Sequence, residues 1–265
     1  MINIIQQAIL FIGILLGGIT DAKTGYIYDW ITIPMIILGG IFSIMQFQLF
    51  NLFSGIIIFI LLLITYKFGK IGGGDVKLFT GIALLNPFNK IDFLITLFFF
   101  SALIAMMFYS IYYTIKYYRL GINLKREKKG IFNAIIISII LIFYFIIMTT
   151  ATIIKLNFVL LLILPLITGL IYFALQRGIK QEFFEQKIKV KDLEEDELIG
   201  ETNNEIIKNI LKGKSLIGEF EKQLLLKNKI TNIIVLRNLP KFGPFIFIGT
   251  IIALFYPELI LTLFL

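Results

Sequence analysis

Outside one acidic region, carboxylates are scarce in this chain: Asp21, Asp29, Asp75, Asp92 and Glu127 precede residue 177, and Glu258 follows residue 238. They carry weight because none of the 265 residues is cysteine or histidine. Disulfides, thiolate or imidazole metal sites, cysteine nucleophiles and histidine-based triads are thereby excluded. Any chemistry must use carboxylates, hydroxyls, lysine or backbone. Asp75 closes the run Gly72-Gly73-Gly74-Asp75. Three consecutive glycines clear side chains from a place where backbone approaches another helix or an extended peptide, at a flexibility cost of about 0.5–1 kcal/mol each. A plain connecting turn needs only one or two, so the run reads as a close-approach site. The plain structural alternative makes Asp75 a helix N-cap, a favoured use of Asp, and Asp21 a solvated helix-end residue.

The elements that must position these carboxylates are membrane helices. The chain is 58% hydrophobic with a mean hydropathy of +0.92, well above an ordinary soluble domain. Apolar stretches of spanning length cover residues 3–20, 30–47, 51–68, 91–115, 131–151, 156–175 and 243–264. The first lacks a basic leader and a small-residue cleavage site, so we expect a retained helix rather than a signal peptide. An eighth segment, Asp75 to Leu85, covers only roughly 17 Å of a ~30 Å hydrocarbon core. It needs neighbouring helices to shelter it. With the N-terminus outside and eight crossings, 23 of the 25 basic residues fall in inward loops and only Lys90 and Lys155 fall outside. That bias supports this topology over its inverse. Asp21 and Asp75 then lie at the cytoplasmic boundary, while Asp92 and Glu258 lie toward the other side. Ionisable groups at membrane depth are functional candidates by default.

Between Arg177 and Asn238 the composition changes, and 11 of the 17 acidic residues occur there. The expected architecture is an all-α polytopic membrane protein of about eight membrane segments, one of them short, with a small α+β cytoplasmic domain before the last helix. Its expected divisions are a membrane domain at 1–175 carrying the candidate aspartates, a soluble domain at 176–240 and a C-terminal transmembrane helix at 241–265 that packs on the membrane domain. Within the soluble region, Arg177–Gln186 and Glu205–Leu211 are expected to be helical and Thr231–Leu236 a strand. The net charge of +8 is spread between apolar segments with no aromatic-rich basic domain, so nucleic acid is not an expected partner.

The stretch Asp21-Ala22-Lys23-Thr24-Gly25-Tyr26-Ile27-Tyr28-Asp29, followed by Gly72-Gly73-Gly74-Asp75-Val76-Lys77-Leu78, resembles the archaeal prepilin and preflagellin peptidases. Those enzymes belong to the Gly-x-Gly-Asp membrane aspartyl proteases, together with the bacterial type IV prepilin peptidases. Pro240-Lys241-Phe242-Gly243-Pro244-Phe245 is similar to the Pro-Phe-Gly-Pro-type sequence that opens the family's last helix, with Lys241 interrupting it. The hairpin at 131–175 is additional to the usual six-helix archaeal plan.

The resemblance implies that Asp21 and Asp75 are a catalytic pair sharing one proton. One member deprotonates a water and the other donates to the scissile carbonyl or leaving amine. Gly72, Gly73, Gly74, Lys77, Gly243 and Pro244 then shape the site, and Asp29 orients its loop, contacts substrate or simply caps the second helix. The implied partners are pilin-like or archaellin precursors, cut at the cytoplasmic face of the cell membrane behind a short basic leader. Asp192, Glu194, Glu195, Asp196 and Glu197 are candidates to receive that leader, the alternative being a solvated acidic face. Membrane lipid is the other partner. No metal or cofactor is expected, and without the cysteine module of bacterial relatives the implied activity is peptidase without N-methylation. A transporter or channel, or a non-catalytic scaffold, are the competing classes. A transporter predicts polar residues deep in several spans, whereas here the central spans are nearly devoid of them.

Overall fold

The computed structural model describes residues 2–194, 197–200, 202, 204–211, 214–228 and 230–264. Seven helices come first: α1 (Ile2–Thr24), α2 (Asp29–Met45), α3 (Leu49–Lys67), α4 (Gly73–Leu84), α5 (Ile91–Leu120), α6 (Leu124–Thr150) and α7 (Leu156–Ile179). A four-stranded antiparallel sheet follows, interleaved with two short helices: β1 (Glu185–Lys189), β2 (Glu197–Ile199), α8 (Glu205–Leu211), β3 (Leu216–Ile217), α9 (Glu219–Lys227) and β4 (Asn232–Leu236). The chain closes with α10 (Gly243–Phe255) and α11 (Leu259–Phe264).

Five of these helices are long and apolar enough to cross a membrane: α1, α3, α5, α6 and α7 with its continuation to Phe184. The protein is a multi-pass membrane protein. α2 and α10 are apolar but shorter. The expected continuous span at 243–264 is corrected, because the helix breaks at Tyr256-Pro257 before α11 resumes. Proline has no N–H to donate and disfavours helical backbone in the residue before it. The expected helix at Arg177–Gln186 also ends early. α7 passes through a five-residue π-helical turn, Lys180–Phe184, and the chain turns into strand at Glu185. There the ladder Glu185↔Leu236 to Lys189↔Asn232 supplies hydrogen bonds that a helix would otherwise make within itself.

Packing centres on α4, which lies against α1, α2 and α3, while α10 lies against α1 and α5. From Leu78 to Leu84 every residue of α4 is buried. Lipid tails provide little hydrophobic drive between helices, so close packing across small residues has to hold them. A side chain at Gly39 of α2 would come within 2.7 Å of Leu84 Cβ, and one at Gly81 within 2.9 Å of Met35 Cβ.

The short helix also needs its C-terminal carbonyls satisfied, since an orphan carbonyl in hydrocarbon costs several kcal/mol. Asn86-Pro87 stops the helix, and amide and hydroxyl side chains from its neighbours then take over. Ser43 Oγ donates to Leu84 O at 2.9 Å, and Asn51 Nδ2 donates to Asn86 O at 2.8 Å. Gln6, Gln46 and Gln48 extend the chain of hydrogen bonds behind them.

The sheet order is β1-β4-β2-β3, with β4 central. Val190, Leu193, Ile207, Leu211, Ile217, Leu225, Ile233 and Val235 form its own apolar core. It joins the helices where Tyr113 and Tyr117 of α5 pack with Leu175, Ile179 and Phe184. Arg126 at the start of α6 ties the same corner, bonding Glu182 at 3.1 Å and Gln181 at 3.2 Å.

Candidate active site

Helix α1 ends because Gly25 adopts φ +79°, with its N–H donating to Asp21 O at 2.8 Å. Asp21 is thereby fixed in the last turn, with 6% of its surface exposed. Its carboxylate reaches the first turn of α10, where Gly243 N–H donates to Asp21 Oδ2 at 2.7 Å. Both the orphan N–H groups and the positive dipole end of a helix N-terminus favour a carboxylate there. Any side chain at Gly243 would lie 2.8 Å from Asp21 Cβ and 3.0 Å from its Oδ2. Glycine here is a requirement of that contact, and Pro244 suits the opening turn, where its missing N–H is not needed.

Asp75 stands in the first turn of α4, partly buried. Gly72 is the residue in extended backbone that starts this helix, so the simple N-cap reading of Asp75 is corrected: Asp75 reaches back instead, accepting Gly72 N–H on Oδ2 at 3.3 Å. The second carboxylate is thus also held by backbone at a helix start. Gly74 lets the Asp21–Asp29 connection lie directly against this turn, since a side chain there would meet Ile27 Cβ at 2.9 Å and Ile27 O at 3.0 Å. Gly73 sits beneath the Tyr66 ring. The two carboxylates, 54 positions apart in sequence, lie close enough to act on each other's charge.

Asp29, the first residue of α2, is held by Lys77 of α4, Nζ to Oδ1 at 2.6 Å. This exposed ion pair binds the two motif stretches to one another. Its side chain makes no cap, as Tyr28 precedes the helix without a side-chain bond. Lys241, just before α10, donates from Nζ to Ala22 O at 2.8 Å and to Lys23 O at 3.4 Å, closing the end of α1. Its own carbonyl accepts Tyr109 Oη of α5 at 2.7 Å. Sequence reasoning missed Tyr109 altogether. It is one of several tyrosines in an apolar helix, with no local motif to mark it.

The remaining carboxylates are elsewhere. Asp92 opens α5 at the far end of the bundle, where Glu258 pairs with Lys90 at 3.2 Å. Glu127 is fully buried under Arg126 and Tyr117 at the α5–α6 corner. Of the acidic stretch, Asp192 and Glu194 are exposed, Glu197 is engaged by Arg237 through Nε at 2.6 Å, and Glu195 and Asp196 lie outside the described residues. Among the described residues no cluster of three or more carboxylates could hold a metal ion.

A carboxylate pair at one end of a helical bundle, each member bonded to backbone at a helix start, has the parts for acid–base work on an amide. Residues 8–111 match the family model of the type IV leader peptidases, a stretch that includes both aspartates, the triple glycine, Asp29 and Lys77. This segment is prepilin peptidase-like. The match supports a protease and covers α1 from residue 8 onward, α2 to α4 and most of α5. The hairpin α6–α7, the sheet and α10 fall outside it. The chain matches no curated protein and no solved structure.

Proposed function

We propose that the protein is a membrane-embedded aspartyl endopeptidase that removes the short basic leader from type IV pilin-like or archaellin precursors at the cytoplasmic face of the membrane. Asp21 and Asp75 are its catalytic residues. They share one proton, as neighbouring like charges do. The ionised member takes a proton from water while the other donates its own to the scissile carbonyl; on collapse of the intermediate the proton taken from water passes to the leaving amine, and the second aspartate recovers its proton from the intermediate's hydroxyl. The observation that carries this reading is the convergence of Asp21 and Asp75 on one end of the bundle, inside the stretch that matches the leader peptidases. Gly72, the exposed member of the triple glycine, leaves room beside Asp75 for an extended peptide, while Gly73 and Gly74 take Tyr66 and Ile27. Asp29 and Lys77 hold the loop between α1 and α2 in place, and Gly243 and Pro244 close the site from α10.

Purified protein in detergent, incubated with peptides that join a basic leader to an apolar helix, should cut one bond at the leader boundary, identified by mass spectrometry. Chelators should leave that cleavage intact, and the new N-terminus should stay unmethylated when a methyl donor is present. Absence of cleavage across a panel of such precursors would remove this reading.

A further inference from the structure

Three bonds meet at the residue that interrupts the Pro-Phe-Gly-Pro-like stretch. The Lys241 ammonium binds the last carbonyls of α1, Ala22 O and Lys23 O. Its backbone carbonyl takes the Tyr109 hydroxyl of α5. Two positions further along the chain, Gly243 N–H holds the Asp21 carboxylate at 2.7 Å. The strap Pro240–Phe242 is therefore anchored on two different helices immediately before Gly243 presents its N–H to Asp21. Tyr109 is itself immobilised by ring contacts to Phe245 and Tyr113, with centroids 5.3 and 5.8 Å apart.

We propose that Lys241 and Tyr109 are positioning residues of the aspartyl centre, fixing the strap so that Gly243 N–H stays on Asp21. The proposal rests on the peptidase reading, but its geometry does not. Without Lys241 the strap keeps only its hold on α5, and without Tyr109 only its hold on α1. Either loss frees the start of α10 to move relative to α1, and small displacements of a positioned group are costly to turnover. The end of α1 gains from a cation whatever residue supplies it, so Lys241→Arg preserves the function and Lys241→Met does not.

The test uses the full chain in detergent with two readouts. In hydrogen exchange, Lys241→Met and Tyr109→Phe should each speed exchange of the amides of Phe242, Gly243, Phe245 and Ile246, whereas Lys241→Arg should leave them protected. In cleavage of a leader-bearing peptide, the first two variants should lose about tenfold in kcat, as expected when one positioning hydrogen bond is removed, with KM changed less than about twofold and the melting temperature held. Lys241→Arg should recover most of the turnover. Unchanged exchange at 242–246 in both variants overturns the proposal whether or not the protein cleaves. So does wild-type kcat in both, or a loss of kcat that follows a loss of melting temperature and is not recovered by arginine. If Asp21→Asn still cleaves, the peptidase reading fails, and the exchange result alone then decides the strap.

Discussion

At the residue scale, Asp21 and Asp75 each accept a backbone N–H at the start of a helix, and the charge of Asp21 acts on Asp75. Asparagine keeps nearly the same shape, so Asp21→Asn and Asp75→Asn should insert and fold while each drops cleavage below a few per cent of wild type. Groups that act as a unit lose nearly everything when either is removed, so the double variant should be no worse than a single one. Asp92→Asn and Glu258→Gln, at the far end of the bundle, should retain activity. The glycines permit a sharper contrast. Gly243→Ala would drive a methyl into Asp21 and should cost at least about tenfold in kcat, whereas Gly40→Ala meets nothing within 4 Å and should be silent. Full activity in Gly243→Ala would mean that the Asp21 contact is dispensable.

At the element scale, α4 is the unusual part, a short helix buried along one half and ended inside the bundle. Its stability depends on polar side chains lent by α2 and α3. Replacing Asn51 with Leu leaves the Asn86 carbonyl and the Gln48 amide short of a partner, which should destabilise the protein by about 1–3 kcal/mol. Ser43→Ala, which frees only the Leu84 carbonyl, should fall at the low end of that range. Thermal unfolding in detergent measures both. A stability unchanged in Asn51→Leu would mean that water already reaches the end of α4.

At the scale of the whole molecule, the basic loops and the sheet gather at the end that carries the aspartates, where Gly69 of the α3–α4 connection lies against Leu198 of β2. Lys90 and Lys155 gather at the other end, against Glu258 and Thr262. From the positive-inside rule we propose that the first end is cytoplasmic. Cysteines at Lys23, Lys70 and Lys125 should then resist an impermeant reagent added to intact cells, and cysteines at Lys90 and Lys155 should react. Lys125 is the reporter to use because it is exposed, whereas Arg126 is held by Glu182. Strong external labelling at Lys125 would invert the topology. For the acidic stretch, Asp192 and Glu194 are the exposed members among the described residues, so neutralising both should slow cleavage of a basic leader at low salt and have little effect at high salt.

The membrane class and the mostly helical build were legible in the chain because runs of apolar residues leave a local trace, whereas of the eight membrane segments expected five are helices long and apolar enough to cross. The helix Glu205–Leu211 and the strand expected at Thr231–Leu236, found at Asn232–Leu236, were legible from their local composition. Strands β1 and β2 were not, since each is defined by pairing with β4 and their local sequences favour no strand. The break at Pro257 could have been read from the proline, but apolar residues on both sides hid it. What only the tertiary structure decided is which groups meet. Gly243 comes to Asp21, Tyr109 to Lys241, and Asn51 to the end of α4, across separations of 222, 132 and 35 positions. Contacts at that range follow from how helices pack, and packing depends on the shapes of all the faces at once, which no short stretch of sequence records.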